Sequence, residues 1–171
     1  MQRQDRTARL TRLALLSALA LIIFVVEMQI PSPVPIPGVK LGLANIITVY
    51  AVYHFSCGEV VLIVLTRVLL GAIFGGNPAV LPFSLTGAAF CIAGMTVLKR
   101  HIDEKDLWIA SVFGAVLHNL GQTAAALIVM RTAAVVAYLP MLIFSGCIAG
   151  TFTGLAAQFM IKKFPRGIDR K

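Results

Sequence analysis

Long apolar runs, separated by short polar or proline-rich breaks, fill most of the 171-residue chain. Several runs approach the roughly 20 residues that an α-helix needs to cross the hydrocarbon core of a bilayer. The pattern predicts an all-α membrane protein with six transmembrane helices in one compact bundle. The predicted helices cover residues 13–30, 41–55, 60–74, 80–98, 107–130 and 133–161.

Two of these helices have ambiguous limits. The second is short for a span unless Tyr50, Tyr53 and His54 extend it into the interface. In the sixth, Pro140 either kinks the helix or marks its true beginning, since proline cannot donate a backbone hydrogen bond.

The composition places the chain outside the range of soluble domains. Hydrophobic residues make up 58% of it and charged residues 13%, against about 45–50% and 25% in typical globular proteins. We therefore expect residues 1–171 to form a single integral membrane domain. It would consist of a basic amino terminus (1–12), the helical bundle (13–161) and a basic tail (162–171).

Positive charge is concentrated at three places. Residues 1–12, 99–106 and 162–171 hold four, three and five of the fifteen Lys and Arg residues. With six spans these segments share one side, which the positive-inside rule assigns to the cytoplasm together with both termini. The charges suit anionic lipid headgroups, and without interleaved aromatic residues they do not indicate nucleic-acid binding.

A proline-rich segment separates the first two predicted helices. Pro31, Pro33, Pro35 and Pro37 fix the backbone and remove donors, so this segment cannot be helical. Two interpretations remain open. It is either a stiff flap against the mouth of the bundle, with Lys40 at its lip, or a tight extracytoplasmic connector.

Two charged residues lie within the apolar runs. Arg67 stands mid-way along the third predicted helix. Glu27, near the outer end of the first, is the only carboxylate in an apolar run and the candidate partner of Arg67. A charge at the bilayer centre costs about 2.5–3.5 kcal/mol on insertion scales. The two residues form either a structural ion pair or part of an anion site. Lys40 and Arg131, in the outer loops, favour an anionic ligand.

The fifth predicted helix carries the densest polar cluster, His118, Asn119 and Gln122. His118 and Gln122 share a helix face because they are four residues apart. Their groups suit a carbonyl, a heteroaromatic ring or a phosphate oxygen. Asn45 either completes the site or caps the second helix. A single buried histidine without nearby Cys or carboxylate disfavours a metal, and we expect no cofactor.

Small residues recur at helical spacing in two helices. Gly146, Gly150 and Gly154 form a row on the sixth, which indicates close packing within the chain. Ala14 and Ala18 form a smaller surface on the first, which either packs internally or receives a partner helix.

Four motifs together resemble a known family. They are PIPGVKLGLAN at residues 35–45, RVLLGAIFGG at 67–76, SLTGA at 84–88 and HNLGQ at 118–122. The chain resembles the Gx transporter family, also called heptaprenyl diphosphate synthase component I, from about residue 13 to residue 162. That family is similar to the substrate-binding S components of energy-coupling-factor transporters, which are six-helix proteins.

The resemblance implies a multi-pass subunit of the cell membrane that binds a small anionic or amphipathic metabolite, such as an isoprenoid or quinone precursor or a flavin-like vitamin. It implies that a loop after the first helix covers an outward-facing pocket and that Ala14 and Ala18 contact a transmembrane coupling subunit. ABC-type ATPases would be supplied in trans, since the chain lacks a phosphate-binding GxxxxGK[ST] loop.

Two alternative functions follow from the family name and the residues. One is a non-catalytic accessory subunit of a polyprenyl diphosphate synthase, and the other a membrane partner in quinone or flavin redox metabolism. Catalysis by this chain alone is not expected, because prenyl transfer needs paired aspartate clusters that hold Mg²⁺ on a diphosphate. The nearest cluster, Asp103, Glu104 and Asp106, lies among Lys99, Arg100 and Lys105 and indicates a solvated charged turn.

Overall fold

A computed structural model describes residues 2–30 and 42–163 of the chain. Within these residues the regular structure is helical throughout, which confirms the all-α fold. The α-helices are α1 (Gln2–Glu27), α2 (Asn45–His54), α3 (Cys57–Phe74), α4 (Leu81–Leu98), α5 (Leu107–Met130) and α6 (Leu139–Lys163). Short 3-10 helices precede α4, α5 and α6 at Pro78–Val80, Glu104–Asp106 and Ala133–Tyr138.

The helix ends follow local sequence signals. Ser56 and Glu59 form a capping box, in which the Glu59 carboxylate accepts from the Ser56 backbone at 2.9 Å, so α3 begins at Cys57. Residues 56–59, between the second and third predicted helices, are thus the cap and first turn of α3. Pro140 lies in the first turn of α6 and marks its beginning, where a missing N–H breaks no helical bond.

Five segments are long and apolar enough to cross a membrane, which supports a multi-pass membrane protein. They are Arg6–Glu27, Cys57–Phe74, Pro78–Leu98, Leu107–Met130 and Ala133–Lys163. Helix α2 has 10 residues and is about 15 Å long, half the thickness of the hydrocarbon core. The count of six membrane spans therefore stays a prediction.

Helix α2 is an interior element. Seven of its ten residues are buried, and Ala51 is completely inaccessible. A helix that is apolar on nearly every face is buried either in lipid or in protein. Here the other helices surround it, so α2 contributes to the core of the bundle.

Glycines bring α4, α5 and α6 together. A Cβ atom on Gly121 of α5 would lie 2.7 Å from the Thr86 carbonyl oxygen of α4. On α6, Cβ atoms on Gly150 and Gly154 would lie 2.7 Å and 2.6 Å from backbone Cα atoms of α5. The glycine row of α6 is therefore an internal packing surface, as its spacing predicted.

Polar contacts join the helix ends at one end of the bundle. Arg9 of α1 binds Glu59 of α3, with nitrogen–oxygen distances of 2.5 Å and 2.8 Å. Lys99, at the end of α4, donates to the Val52 carbonyl of α2 at 2.5 Å. Gln158 of α6 donates to a backbone carbonyl in the loop between α4 and α5. The described parts of the three basic segments thus approach the same end.

Large apolar side chains cover the outer surface of the bundle. On α6, Phe144, Phe152 and Phe159 are 69%, 65% and 66% exposed. Ile73 of α3 and Ile128 of α5 are 70% and 76% exposed. Side chains of this kind, spread over several long apolar helices, suit contact with lipid.

Candidate functional site

A small cavity lies in the bundle between the end of α1, the beginnings of α2 and α4, and the middle of α3 and α5. Its volume is about 20 Å³. Residues from all five helices or their ends line it, most of them polar or small. They are Phe24, Glu27, Gly42, Ala44, Asn45, Arg67, Ser84, His118 and Gln122.

Arg67 is the central residue of this cavity. It lies on the buried face of α3, one turn from Ile63, Val64 and Gly71, and is 3% exposed. Its guanidinium carbon lies 5.9 Å from the centre of the Phe24 ring, which forms an apolar wall. The Nε atom is enclosed without a hydrogen-bond partner.

No described residue accepts a hydrogen bond from this guanidinium, although the group carries five N–H donors. A buried polar group without a partner is expensive, and a buried charge more so. Arg67 therefore presents unused donors and a positive charge to the cavity.

Glu27 holds the turn that leads into α2. Its two carboxylate oxygens accept from the backbone N–H groups of Gly42 and of Ala44, the latter at 3.3 Å. The backbone at Gly42 has φ of 80°, a conformation that glycine adopts without strain. These N–H groups belong to the turn before the helix, so the carboxylate fixes the segment that leads into α2.

This arrangement corrects one expectation. The side chains of Glu27 and Arg67 line the same cavity, but the structure records no ion pair within 4.0 Å between these two described residues. The carboxylate is held by backbone donors instead. Its negative charge offsets that of Arg67 through space without occupying the guanidinium.

His118 and Gln122 enter the cavity from α5, as their shared face predicted. They do so across Gly87 of α4, where an added Cβ atom would lie 2.9 Å from atoms of both side chains. Nδ1 of His118 lies beside the Gly87 backbone without a partner in hydrogen-bonding geometry. The glycine therefore makes room for the imidazole and the amide.

Asn45 lies at the first position of α2 and also lines the cavity. The residue that caps this helix is Ala44, and no side chain performs the capping bond. Of the two roles considered for Asn45, its position favours a place in the cavity wall.

Asn119 points elsewhere. Its Nδ2 donates to the Leu142 carbonyl of α6 at 2.6 Å and lies next to Gly146. Consecutive helix residues are rotated by about 100°, so Asn119 turns from the cavity that His118 faces. Asn119 thus joins α5 to α6. Lys40 and the proline-rich segment lie outside the described residues.

Sequence reasoning did not single out Phe24, Ser84, Gly42 and Ala44 as cavity residues. Ser84 had a usable signal, because it shares one face of α4 with Gly87 and Cys91 at positions i, i+3 and i+7. The other three were not recognisable, since an apolar or backbone group has no functional signature of its own.

Ala14 and Ala18 are exposed on α1, next to the exposed side chains of Leu15 and Leu19. They do not pack against the described part of the bundle. This leaves the surface open to a partner helix or to lipid.

One comparison with known proteins gives a match. A family model described as heptaprenyl diphosphate synthase component I matches residues 16–160, which include all nine residues that line the cavity. No curated protein and no solved structure gives a significant match.

Proposed function

We propose that this chain, which belongs to the heptaprenyl diphosphate synthase component I family, is a non-catalytic membrane subunit that binds a small anionic metabolite. The observation that carries the proposal is the buried Arg67 guanidinium. No described residue accepts a hydrogen bond from it. An anion in the cavity would supply the missing acceptor and compensate the charge.

The proposed binding residues are Arg67, His118, Gln122 and Asn45, with Glu27 holding the beginning of α2 in place. Asn45, His118 and Gln122 place polar side chains in the wall around the Arg67 guanidinium. Asn119 lies outside the cavity and joins α5 to α6 through its hydrogen bond to the Leu142 carbonyl. Lys40 remains a proposed contact.

Binding is tested on the purified chain by mass spectrometry of extracted small molecules, followed by titration of the compound found. Removing a charged group that hydrogen-bonds a buried anion costs about 1.5–3 kcal/mol, which is about a ten- to hundredfold loss of affinity. We expect Arg67→Gln to show this loss. Equal affinity in both proteins would contradict the proposal.

The biological role that we favour is that of the S component of an energy-coupling-factor-type importer. The support is the resemblance in the sequence motifs and the exposed pair Ala14 and Ala18 on α1. In this role the chain would capture the metabolite and depend on a transmembrane coupling subunit and ABC-type ATPases for energy.

Tryptophan substitution tests the partner surface. We expect Ala14→Trp and Ala18→Trp to abolish co-purification with the coupling subunit, because a large side chain prevents close helix approach. Ala89 and Ala93 of α4 are a matched control, since they are also exposed and four residues apart. Normal assembly of the α1 variants would contradict the assignment of this surface.

The second candidate role is that of an accessory subunit of a polyprenyl diphosphate synthase, which the description of the family favours. The two roles differ in their partners. Affinity purification from membranes would recover coupling and ATPase subunits in one case and a catalytic prenyltransferase in the other. Prenyl transfer by that enzyme, measured with and without this chain, would then show whether the chain affects its rate.

We also propose that both termini face the cytoplasm, from the distribution of Lys and Arg. Asn77, between α3 and α4, and Asp103, between α4 and α5, occupy loops at opposite ends of α4. In a Cys57→Ser background, cysteines at these positions should react from the outside and from the cytoplasm, respectively. Reaction of both from one side would contradict the topology.

A further inference from the structure

The charge of the cavity limits the charge of its ligand. Arg67 is the one Lys or Arg among the described residues that line it. The negative charge of Glu27 lies in the same wall, held by the amides of Gly42 and Ala44. In a buried site each uncompensated charge is costly, and with Glu27 in the same wall the described residues suit a ligand group with one negative charge better than one with several.

The volume of the cavity limits the size of that group. About 20 Å³ corresponds to one or two water molecules, since one water needs roughly 10–15 Å³ by this measure. The two oxygens of a carboxylate fill a space of this order. A diphosphate has nine non-hydrogen atoms and several negative charges, which exceed the space and the positive charge that the described residues of the cavity provide.

The geometry of the donors favours a planar anion. A guanidinium presents parallel N–H groups that match the two oxygens of a carboxylate. His118 and Gln122 stand on the α5 side of the same space. The Phe24 ring near the guanidinium provides an apolar wall for the body of an organic acid.

We propose that this cavity binds the carboxylate group of a monocarboxylate and does not bind a diphosphate. The inference rests on the proposed function, in which the chain binds a small anion, and narrows the class of that anion. The proposed ligand thus differs from the diphosphate compounds that the description of the family suggests.

Small anions of defined size and charge test the proposal on the full-length chain in detergent. Thermal unfolding is followed by circular dichroism in formate, acetate, chloride or inorganic diphosphate at matched ionic strength. We expect formate and acetate to raise the melting temperature saturably, by about 3–6 °C at ten times their Kd. The same salts should leave Arg67→Gln unshifted.

Arg131→Gln is the matched control, because Arg131 is an exposed arginine at the end of α5 and does not line the cavity. It should keep the full response to formate and acetate. Arg67→Lys retains the charge but loses the paired donors, so we expect at least a tenfold higher Kd for formate.

Each outcome separates the carboxylate assignment from the broader proposal. A larger Arg67-dependent shift with diphosphate than with formate would overturn the carboxylate assignment and leave anion binding intact. A response to chloride without one to formate or acetate would do the same, since it indicates a halide site. Equal responses of the wild type and Arg67→Gln to every salt would overturn both. Should Arg67→Gln fail to fold, the ranking of the salts on the wild type still decides the class.

Discussion

Replacing Arg67 by methionine should stabilise the anion-free protein, although a buried charge near a carboxylate would ordinarily be assigned a structural role. Methionine has a similar length and no charge, and its flexible thioether fills irregular space. No described residue accepts a hydrogen bond from the guanidinium, so the substitution removes none of the described hydrogen bonds. Glu27 keeps both of its backbone donors, Gly42 and Ala44.

The expected magnitude follows from the position of the charge. An arginine at the centre of a membrane helix costs about 2.5–3.5 kcal/mol on insertion scales. The electrostatic attraction of Glu27, which lines the same cavity, offsets part of this free-energy cost. We expect Arg67→Met to raise the free energy of unfolding by about 1–2 kcal/mol, or the melting temperature by about 2–8 °C in a chain of this length.

The measurement is thermal unfolding in detergent, in a buffer of large organic ions, compared with Arg131→Met as an exposed control. The same Arg67→Met protein should no longer respond to formate, so that stability and binding change in opposite directions. A melting temperature more than 3 °C below the wild type would refute the reasoning. A double-mutant cycle with Glu27→Gln would then measure the coupling between the two side chains.

Three further predictions concern the frame of the site. Glu27→Gln should lower the free energy of unfolding by about 1.5–3 kcal/mol, because two backbone donors lose a charged acceptor; a melting temperature equal to that of the wild type would contradict this role in holding the turn before α2. Gly121→Val should destabilise the protein by at least 1–3 kcal/mol, since its Cβ meets backbone atoms of α4. Gly58→Ala, with nothing within 4 Å of the new atom, is its control and should melt within 2 °C of the wild type. Asn119→Leu should lower the melting temperature and leave the Kd for formate within threefold, because its amide binds the Leu142 carbonyl outside the cavity; a tenfold weaker affinity with unchanged stability would place Asn119 in the site.

The sequence by itself determined the class of the protein and most of its long helices. Helix α5 has the predicted limits, residues 107–130, because a polar loop precedes this long, mostly apolar run and Arg131 follows it. The glycine row of α6 was recognisable because small residues four apart form one helix face. The sequence also pointed to Arg67, His118 and Gln122, because a polar group within an apolar run is costly unless it has a partner or a ligand.

Only the tertiary structure decided what surrounds each of these residues. The pattern of α2 is equally compatible with burial in lipid or in protein, and neighbouring helices bury seven of its ten residues. The sequence suggested Arg67 as the partner of Glu27. Backbone N–H groups hold the Glu27 carboxylate instead, and no sequence pattern reveals such a contact.

The composition of the cavity also depended on the neighbours of each helix. Sequence spacing gives the angle between the His118 and Asn119 side chains around α5. It does not tell which side chain faces α4 and which faces α6. Packing across Gly87 and Gly146 settles that rotation, so His118 faces the cavity and Asn119 faces α6. A helix repeats every 3.6 residues whatever surrounds it, so the sequence fixes relative directions along one helix, and contacts between helices fix the absolute ones.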